Sequence, residues 1–234
     1  MAPTHANYID GQWVPAASGR TFENRNPADT SDLVGVFADS GPEDAERAVA
    51  AAREAFPRWK ALPAPKRGEI LYRAAEILVR RKEEVSRDMT REMGKVLDET
   101  RGDVQEAIDM TFFLAGEGRR LYGQTVPSEM PDKQLFTFRR PVGAVAVISA
   151  GNFPVAVPSW YLVPALLCGN AVVWKPAETA NAVAAALTAL FHAGGVPEDV
   201  LRTVPMAGAD TFAGLTAALE AGVVDKVGFT GSTE

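Results

Sequence analysis

The sequence predicts an α/β protein built on a doubly wound parallel sheet, and two observations carry that prediction. From Pro141 onward, short apolar runs alternate with helical stretches: residues 144–148, 171–174, 200–204 and 226–229 read as strands, and residues 155–167, 181–192 and 211–221 as the helices between them. Strands apolar on both faces belong to a parallel sheet covered on two sides. Ahead of that region, apolar residues fall at helical spacing and predict an N-terminal helical segment. Doubly wound sheets bind ligands beyond the carboxyl ends of their strands. The residues that follow Ile148, Trp174, Val204 and Phe229 are therefore the candidate site.

The first 40 residues read as short extended pieces joined by turns. Asp10-Gly11 between Tyr8-Ile9 and Trp13-Val14 is a hairpin signal, and Asn26-Pro27-Ala28-Asp29 marks another turn. Ser40-Gly41-Pro42 opens a first helix, where proline is tolerated because its missing N–H has no helical partner anyway. Ala45, Ala48, Val49, Ala52, Ala55 and Phe56 continue it, and Ile70, Ala74, Ile77 and Leu78 mark a second helix that ends in a charged face at residues 80–84. Val104, Ala107, Ile108, Thr111, Phe112 and Ala115 mark a third, which closes near residues 116–123. Residues 125–131 are turn-rich and residues 134–140 alternate like an exposed strand, so 124–141 is read as a projecting β-hairpin. An apolar strand that projects wants a partner edge, which predicts self-association.

Composition narrows the function classes. The net charge of −6 argues against a general nucleic-acid surface, which needs a basic excess to displace counterions. The longest apolar runs, such as residues 142–150, fall short of the roughly 20 residues needed to span a bilayer. Met1-Ala2-Pro3-Thr4-His5 lacks the basic start and apolar stretch of a secretory signal. A single cysteine, Cys168, allows no internal disulfide and fits a reducing cytoplasm. His5 and His192 are too few and too scattered for a metal site.

Three of the four strand ends carry unusual chemistry. After the first comes Ser149-Ala150-Gly151-Asn152-Phe153-Pro154. Asn152 either aims its amide at a developing oxyanion, a donor worth about 10²–10³ in rate, or caps the helix that follows. After the second comes Trp174-Lys175-Pro176-Ala177-Glu178. Lys175 and Glu178 either grip the hydroxyls of a ribose, with the carboxylate repelling a 2′-phosphate and so favouring NAD over NADP, or form a solvated surface pair. After the fourth comes Thr230-Gly231-Ser232-Thr233-Glu234. This segment either opens a helix whose free N–H groups attract a pyrophosphate or is an ordinary start capped by Ser232 or Thr233. No Gly-x-Gly-x-x-Gly turn follows the first strand and no Walker-type loop is present, so a dinucleotide would sit differently from the standard pose.

Together, Asn152-Phe153-Pro154, the segment from Gly169-Asn170 through Lys175-Pro176-Ala177-Glu178, and Phe229-Thr230-Gly231-Ser232-Thr233-Glu234 resemble the hallmarks of the aldehyde dehydrogenase superfamily, in family order. The resemblance covers the whole chain, including Asp10-Gly11-Gln12-Trp13 and Glu92-Met93-Gly94-Lys95. It implies a Rossmann-like domain without the glycine fingerprint, binding NAD, with NADP as a possibility. It implies that Asn152 is an oxyanion donor and that Lys175 and Glu178 clamp the adenosine ribose. Ser232 would contact the pyrophosphate, and Ile148, Ser149, Pro176, Ala177, Gly208, Phe229, Thr230 and Gly231 would complete the cofactor site. Phe153, Val157 and Trp160 match walls of a substrate tunnel. The implied partners are a small-molecule aldehyde and further copies of the chain, as a homodimer or homotetramer joined through the hairpin. Residues 1–123 and 142–234 would form the cofactor-binding domain, and 124–141 part of the oligomerisation element. The chain departs from the family in two places: Ala150-Gly151 stand where Pro-Trp is common, and Tyr161 where a lysine is frequent.

In the family, a cysteine thiolate attacks the aldehyde to give a thiohemiacetal, hydride passes to the nicotinamide, and a glutamate activates the water that frees the acid. Both residues lie beyond the Gly-Ser-Thr-Glu segment, where this sequence stops. The expectation is a chain cut within a motif, lacking the catalytic domain and inactive alone. Cys168, at the end of an apolar helix, reads as a small core residue with a protonated thiol rather than a nucleophile. The alternative from another class is a non-catalytic nucleotide-binding or interaction module; a conventional Rossmann dehydrogenase is disfavoured by the missing glycines.

Overall fold

The computed structural model describes residues 4–9, 12–206 and 208–232. The chain opens with five short strands, β1 (Thr4–His5), β2 (Asn7–Ile9), β3 (Gln12–Val14), β4 (Thr21–Arg25) and β5 (Leu33–Ala38). Three long helices follow, α1 (Pro42–Ala61), α2 (Ala64–Met93) and α3 (Leu97–Gly116), then a 3-10 turn and the two-residue strands β6 (Thr125–Val126) and β7 (Leu135–Phe136). The remainder alternates: β8 (Ala144–Ile148), α4 (Ala156–Leu167), β9 (Ala171–Lys175), α5 (Asn181–Gly194), β10 (Leu201–Thr203), α6 (Gly208–Glu220) and β11 (Lys226–Phe229).

The predicted α/β sheet is present. Its order is β11-β8-β9-β10-β2-β3, with the first four strands parallel. The N-terminal hairpin was legible as β2 and β3, though its Asp10-Gly11 turn lies outside the described residues. Its destination was not: β2 pairs antiparallel with β10 and extends the same sheet. β4 and β5 form a separate small sheet with β1. The segment predicted as a projecting hairpin pairs β6 with β7 over two residues on each strand, less than the strand expected across 134–140. Among the described residues, no helix is long and apolar enough to cross a membrane.

One core joins the helical segment to the sheet. Trp59 of α1, Leu71 and Leu78 of α2, Leu166 of α4, Trp174 of β9 and Leu187 of α5 are all buried in it. Burying each side chain of this size contributes about 1.5–3 kcal/mol.

The second helix departs from the expectation that it ends near residue 84. It runs on to Met93, because residues 80–84 form its solvent-side turn and Val85 and Met89 resume the buried stripe begun by Leu71 and Leu78. Gly94, at φ 74°, stops it in the left-handed conformation that glycine adopts without Cβ strain.

α2 and its neighbour α3 finish helices that lack caps of their own. Neither α4 nor α5 has a side-chain N-cap. The Glu92 carboxylate accepts the Ala182 and Val183 N–H groups at 2.7 and 2.8 Å, together with the Asn24 amide at 2.6 Å. Asp103 accepts the Ala156 N–H at 2.7 Å. At the opposite ends, Arg67 donates to the Leu167 and Leu62 carbonyls and Arg73 to Gly194. Acidic groups therefore meet helix N-termini and basic groups helix C-termini, the arrangement the helix dipole favours.

Candidate functional site

Parallel pairing sets Ile148 opposite both Lys175 and Phe229, so β8, β9 and β11 end level with one another. The loops leaving those ends enclose a groove of about 700 Å³. Of the residues expected to touch a dinucleotide, Ile148, Ser149, Lys175, Ala177, Glu178, Phe229, Thr230, Gly231 and Ser232 line this one groove. Glu178 and Ser232 therefore share a cavity. Pro176 lies within the same turn but does not line it, and Gly208 is the first residue of α6.

The groove's polar groups differ in freedom. The Lys175 ammonium meets Glu178 Oε1 at 3.0 Å; the lysine side chain is only 13% exposed and the glutamate 46%. The pair is thus anchored on the lysine side and open on the glutamate side, unlike a fully solvated surface pair. The Ser149 hydroxyl accepts from the indole N–H of buried Trp174 at 2.9 Å and so fastens the loop to the core. The Thr230 N–H donates to the Ile148 carbonyl at 3.0 Å, which prolongs the β8–β11 pairing past the last strand residue.

The third strand end is different. After Val204 the chain reaches Met206, which bridges to Ser40 beside the N-terminal strands rather than joining the groove.

Asn152 stands apart from the groove lining. It does not cap α4: the N-cap is Val155, and Asp103 takes the N–H of Ala156. The helix-cap alternative is thereby corrected, because the acidic side chain from α3 already occupies that position. Asn152 is exposed and its side-chain amide makes no hydrogen bond among the described residues, while its carbonyl accepts from the Lys95 ammonium at 2.8 Å. That ammonium also lies 4.1 Å from the centre of the Phe153 ring and 3.7 Å from Asp103 Oδ2. Phe153 and Trp160 are part-exposed, whereas Val157 is buried. Cys168 sits at the other end of α4 from Asn152; burial pushes its thiol up, against the pull of Arg67 and Arg139. It stays protonated at neutral pH.

Sequence reasoning missed several neighbours. Thr211 and Leu215, one turn apart on α6, and Val227 on β11 also line the groove. Their α-helical spacing was visible, but nothing in it distinguished a groove wall from a core face. Lys95 carries no local signal for its place beside Asn152, because that contact spans 57 positions. Among the described residues, no group of three His, Cys, Asp or Glu could hold a metal ion.

Comparison with known proteins places the fold in a family. The family model "Aldehyde dehydrogenase family" matches residues 13–234. An alpha-ketoglutaric semialdehyde dehydrogenase of Bacillus subtilis is 43% identical over 231 residues, covering 99% of this chain and 47% of its own length. A glutarate-semialdehyde dehydrogenase of Pseudomonas putida is 37% identical, covering 97% of this chain and 46% of its own. The crystal structure of an NAD-dependent aldehyde dehydrogenase from Sinorhizobium meliloti superposes with a TM-score of 0.92 at 31% identity, over 99% of this chain and 46% of that one. The chain thus spans about half the length of the curated relatives it matches. With the family model matching residues 13–234 and the sheet superposing on that of a solved aldehyde dehydrogenase, the chain belongs to the aldehyde dehydrogenase family.

Proposed function

We propose that this chain is the cofactor-binding portion of an NAD(P)-dependent aldehyde dehydrogenase and that the strand-end groove holds the adenosine and diphosphate portion of NAD. The observation that carries this reading is the level ending of three parallel strands, which gathers Lys175, Glu178 and residues 229–232 around one cavity. Its volume of about 700 Å³ suits a ligand of that size. Gly151 and Gly231 line the groove where a side chain has no room: a Cβ would lie 2.8 Å from the Thr179 hydroxyl and 2.7 Å from the Phe229 ring, respectively.

In this reading Glu178 accepts the ribose hydroxyls, Lys175 donates to them, and Gly231 and Ser232 meet the diphosphate. The part-exposed carboxylate repels a 2′-phosphate, which favours NAD over NADP. When bound, the cofactor supplies the hydride acceptor. Asn152 offers its unengaged amide to the aldehyde oxygen, and Phe153, Val157 and Trp160 wall the approach. The family resemblance implies that the nucleophilic cysteine and base glutamate lie in the part of the relatives that this chain does not span, so the 234 residues by themselves are expected to bind NAD without oxidising aldehydes. The similarity to semialdehyde dehydrogenases points to an aldehyde that carries a second polar group.

Residues 1–123 and 142–234 then make up the cofactor domain, and 124–141 an oligomerisation hairpin of a homodimer or homotetramer. The exposure of Val126, Phe136 and Phe138 along that hairpin supports its pairing with another copy. A cytoplasmic setting accords with the free cysteine.

Calorimetric titration of the 234-residue chain with NAD and NADP tests the reading. The expected result is saturable NAD binding, NADP weaker by about tenfold through charge repulsion, and no aldehyde turnover. Absence of NAD binding would favour a bare interaction module, and appreciable turnover would refute the assignment of the chemistry to the other half.

A further inference from the structure

Tyr161 lies on α4, which carries the proposed substrate wall, yet its ring crosses to the other side of the site. A Cβ built on Gly228 of β11 would lie 2.6 Å from Tyr161 Cδ1 and 3.1 Å from Cε1, so the ring rests directly on the backbone of that strand. The phenol oxygen is 3.1 Å from the Phe229 carbonyl and 2.8 Å from the Thr230 hydroxyl. A carbonyl only accepts, so the phenol proton goes to Phe229, and the Thr230 hydroxyl donates its own proton to the phenol oxygen.

The peptide joining Phe229 to Thr230 is therefore held at both ends. Its carbonyl accepts from Tyr161 and its N–H donates to Ile148 at 3.0 Å. Among the described residues β11 pairs only with β8, so ladder bonds restrain it along one edge. Gly231 and Ser232, which line the groove, leave directly from this clamped peptide.

We propose that Tyr161 is a positioning residue for the diphosphate of the nucleotide: it clamps the Phe229–Thr230 peptide and so pre-orders the loop that meets the diphosphate. The proposal rests on the nucleotide reading of the groove. It assigns Tyr161 no contact with the ribose clamp, since Lys175 and Glu178 hold each other on β9 and the turn after it. Pre-ordering a loop raises affinity by removing an ordering cost from the binding step, so only ligands that reach the loop should register the loss.

The test is equilibrium titration of the 234-residue chain with ADP and with adenosine, before and after Tyr161→Phe, which keeps the ring on Gly228 and removes only the hydroxyl. ADP affinity is expected to fall roughly 3- to 10-fold, the worth of one or two hydrogen bonds, with adenosine affinity unchanged. Gly228→Ala, whose methyl must displace the ring, should give the same selective loss and decides the matter independently should the phenylalanine variant fold poorly. Unchanged ADP affinity in both variants would overturn the proposal. So would a parallel loss for ADP and adenosine, which would mark Tyr161 as general packing. A wild-type chain that binds ADP no better than adenosine, or binds neither, would instead remove the nucleotide reading itself, and the proposal with it.

Discussion

The helix ends served by α2 and α3 and the strand ends around the groove use their polar groups in opposite ways. Under the helices, Arg67, Glu92 and Asp103 are buried, and each is bonded to backbone groups at another helix's terminus. Around the groove, Glu178 is half exposed with one lysine partner, and farther out the Asn152 amide has none. The first region turns buried polar groups into rigidity, because such groups are stable only where bonds or an opposite charge meet them; Asp103 Oδ2, without a hydrogen bond among the described residues, faces the Lys95 ammonium at 3.7 Å. The second keeps hydrogen-bonding capacity for a ligand. Substitutions should therefore register as stability in one region and as affinity in the other.

The largest effect is expected at Arg67. Arg67→Ala strips the C-terminal carbonyls of α4 and the residue after α1 of a buried donor and leaves a cavity, so a urea unfolding curve should show a loss of about 3–4 kcal/mol. A loss below about 1 kcal/mol would break the contrast.

Glu92 sharpens the same contrast through pH. Burial pushes its carboxyl up to about 7 even though four N–H donors, from Ala182, Val183, the Asn24 side chain and Asn181, oppose the shift. The folded chain then holds this proton more tightly than the unfolded chain does. Its contribution to stability is fully present below about pH 4.5, the unfolded value, and is lost as the pH rises through about 7. Unfolding curves between pH 4.5 and 7.5 should show a decline of order 1–3 kcal/mol from this group. Glu92→Gln, which cannot titrate, should remove that slope. An identical slope in the variant would assign the pH response elsewhere.

The groove should show the reverse. Lys175→Ala is expected to change stability by less than about 0.5 kcal/mol while weakening NAD roughly tenfold, the loss of a charge-assisted hydrogen bond. Smallest of all, Asn152→Ala should leave both unfolding and NAD titration within error, since its side chain holds nothing in this structure. An unfolding shift there as large as that of Arg67→Ala would mean that the loop after β8 is structural.

How much of this was legible in the sequence follows from the range of each interaction. The four parallel strands declared themselves because an apolar run of four or five residues is a local signal, and the strand-end rule then located Lys175, Glu178 and residues 229–232. The reach of α2 was not legible at residues 80–84, where the polar turn that faces solvent looks the same as a helix end. Only the later recurrence of Val85 and Met89 separates the two. The distal caps were out of reach for a different reason. Glu92 meets Val183 across 91 positions and Tyr161 meets Phe229 across 68, and no local pattern encodes a contact that only the packing of α2 on α5, or α4 on the sheet, creates. Tyr161 could be noticed as a departure from its family, but not given a role.

A crystal structure of the chain with ADP tests the nucleotide groove most directly. The ribose hydroxyls are expected within hydrogen-bonding distance of the Glu178 carboxylate and the diphosphate against Gly231 and Ser232. ADP bound elsewhere on the surface, with neither end of the groove engaged, would contradict it.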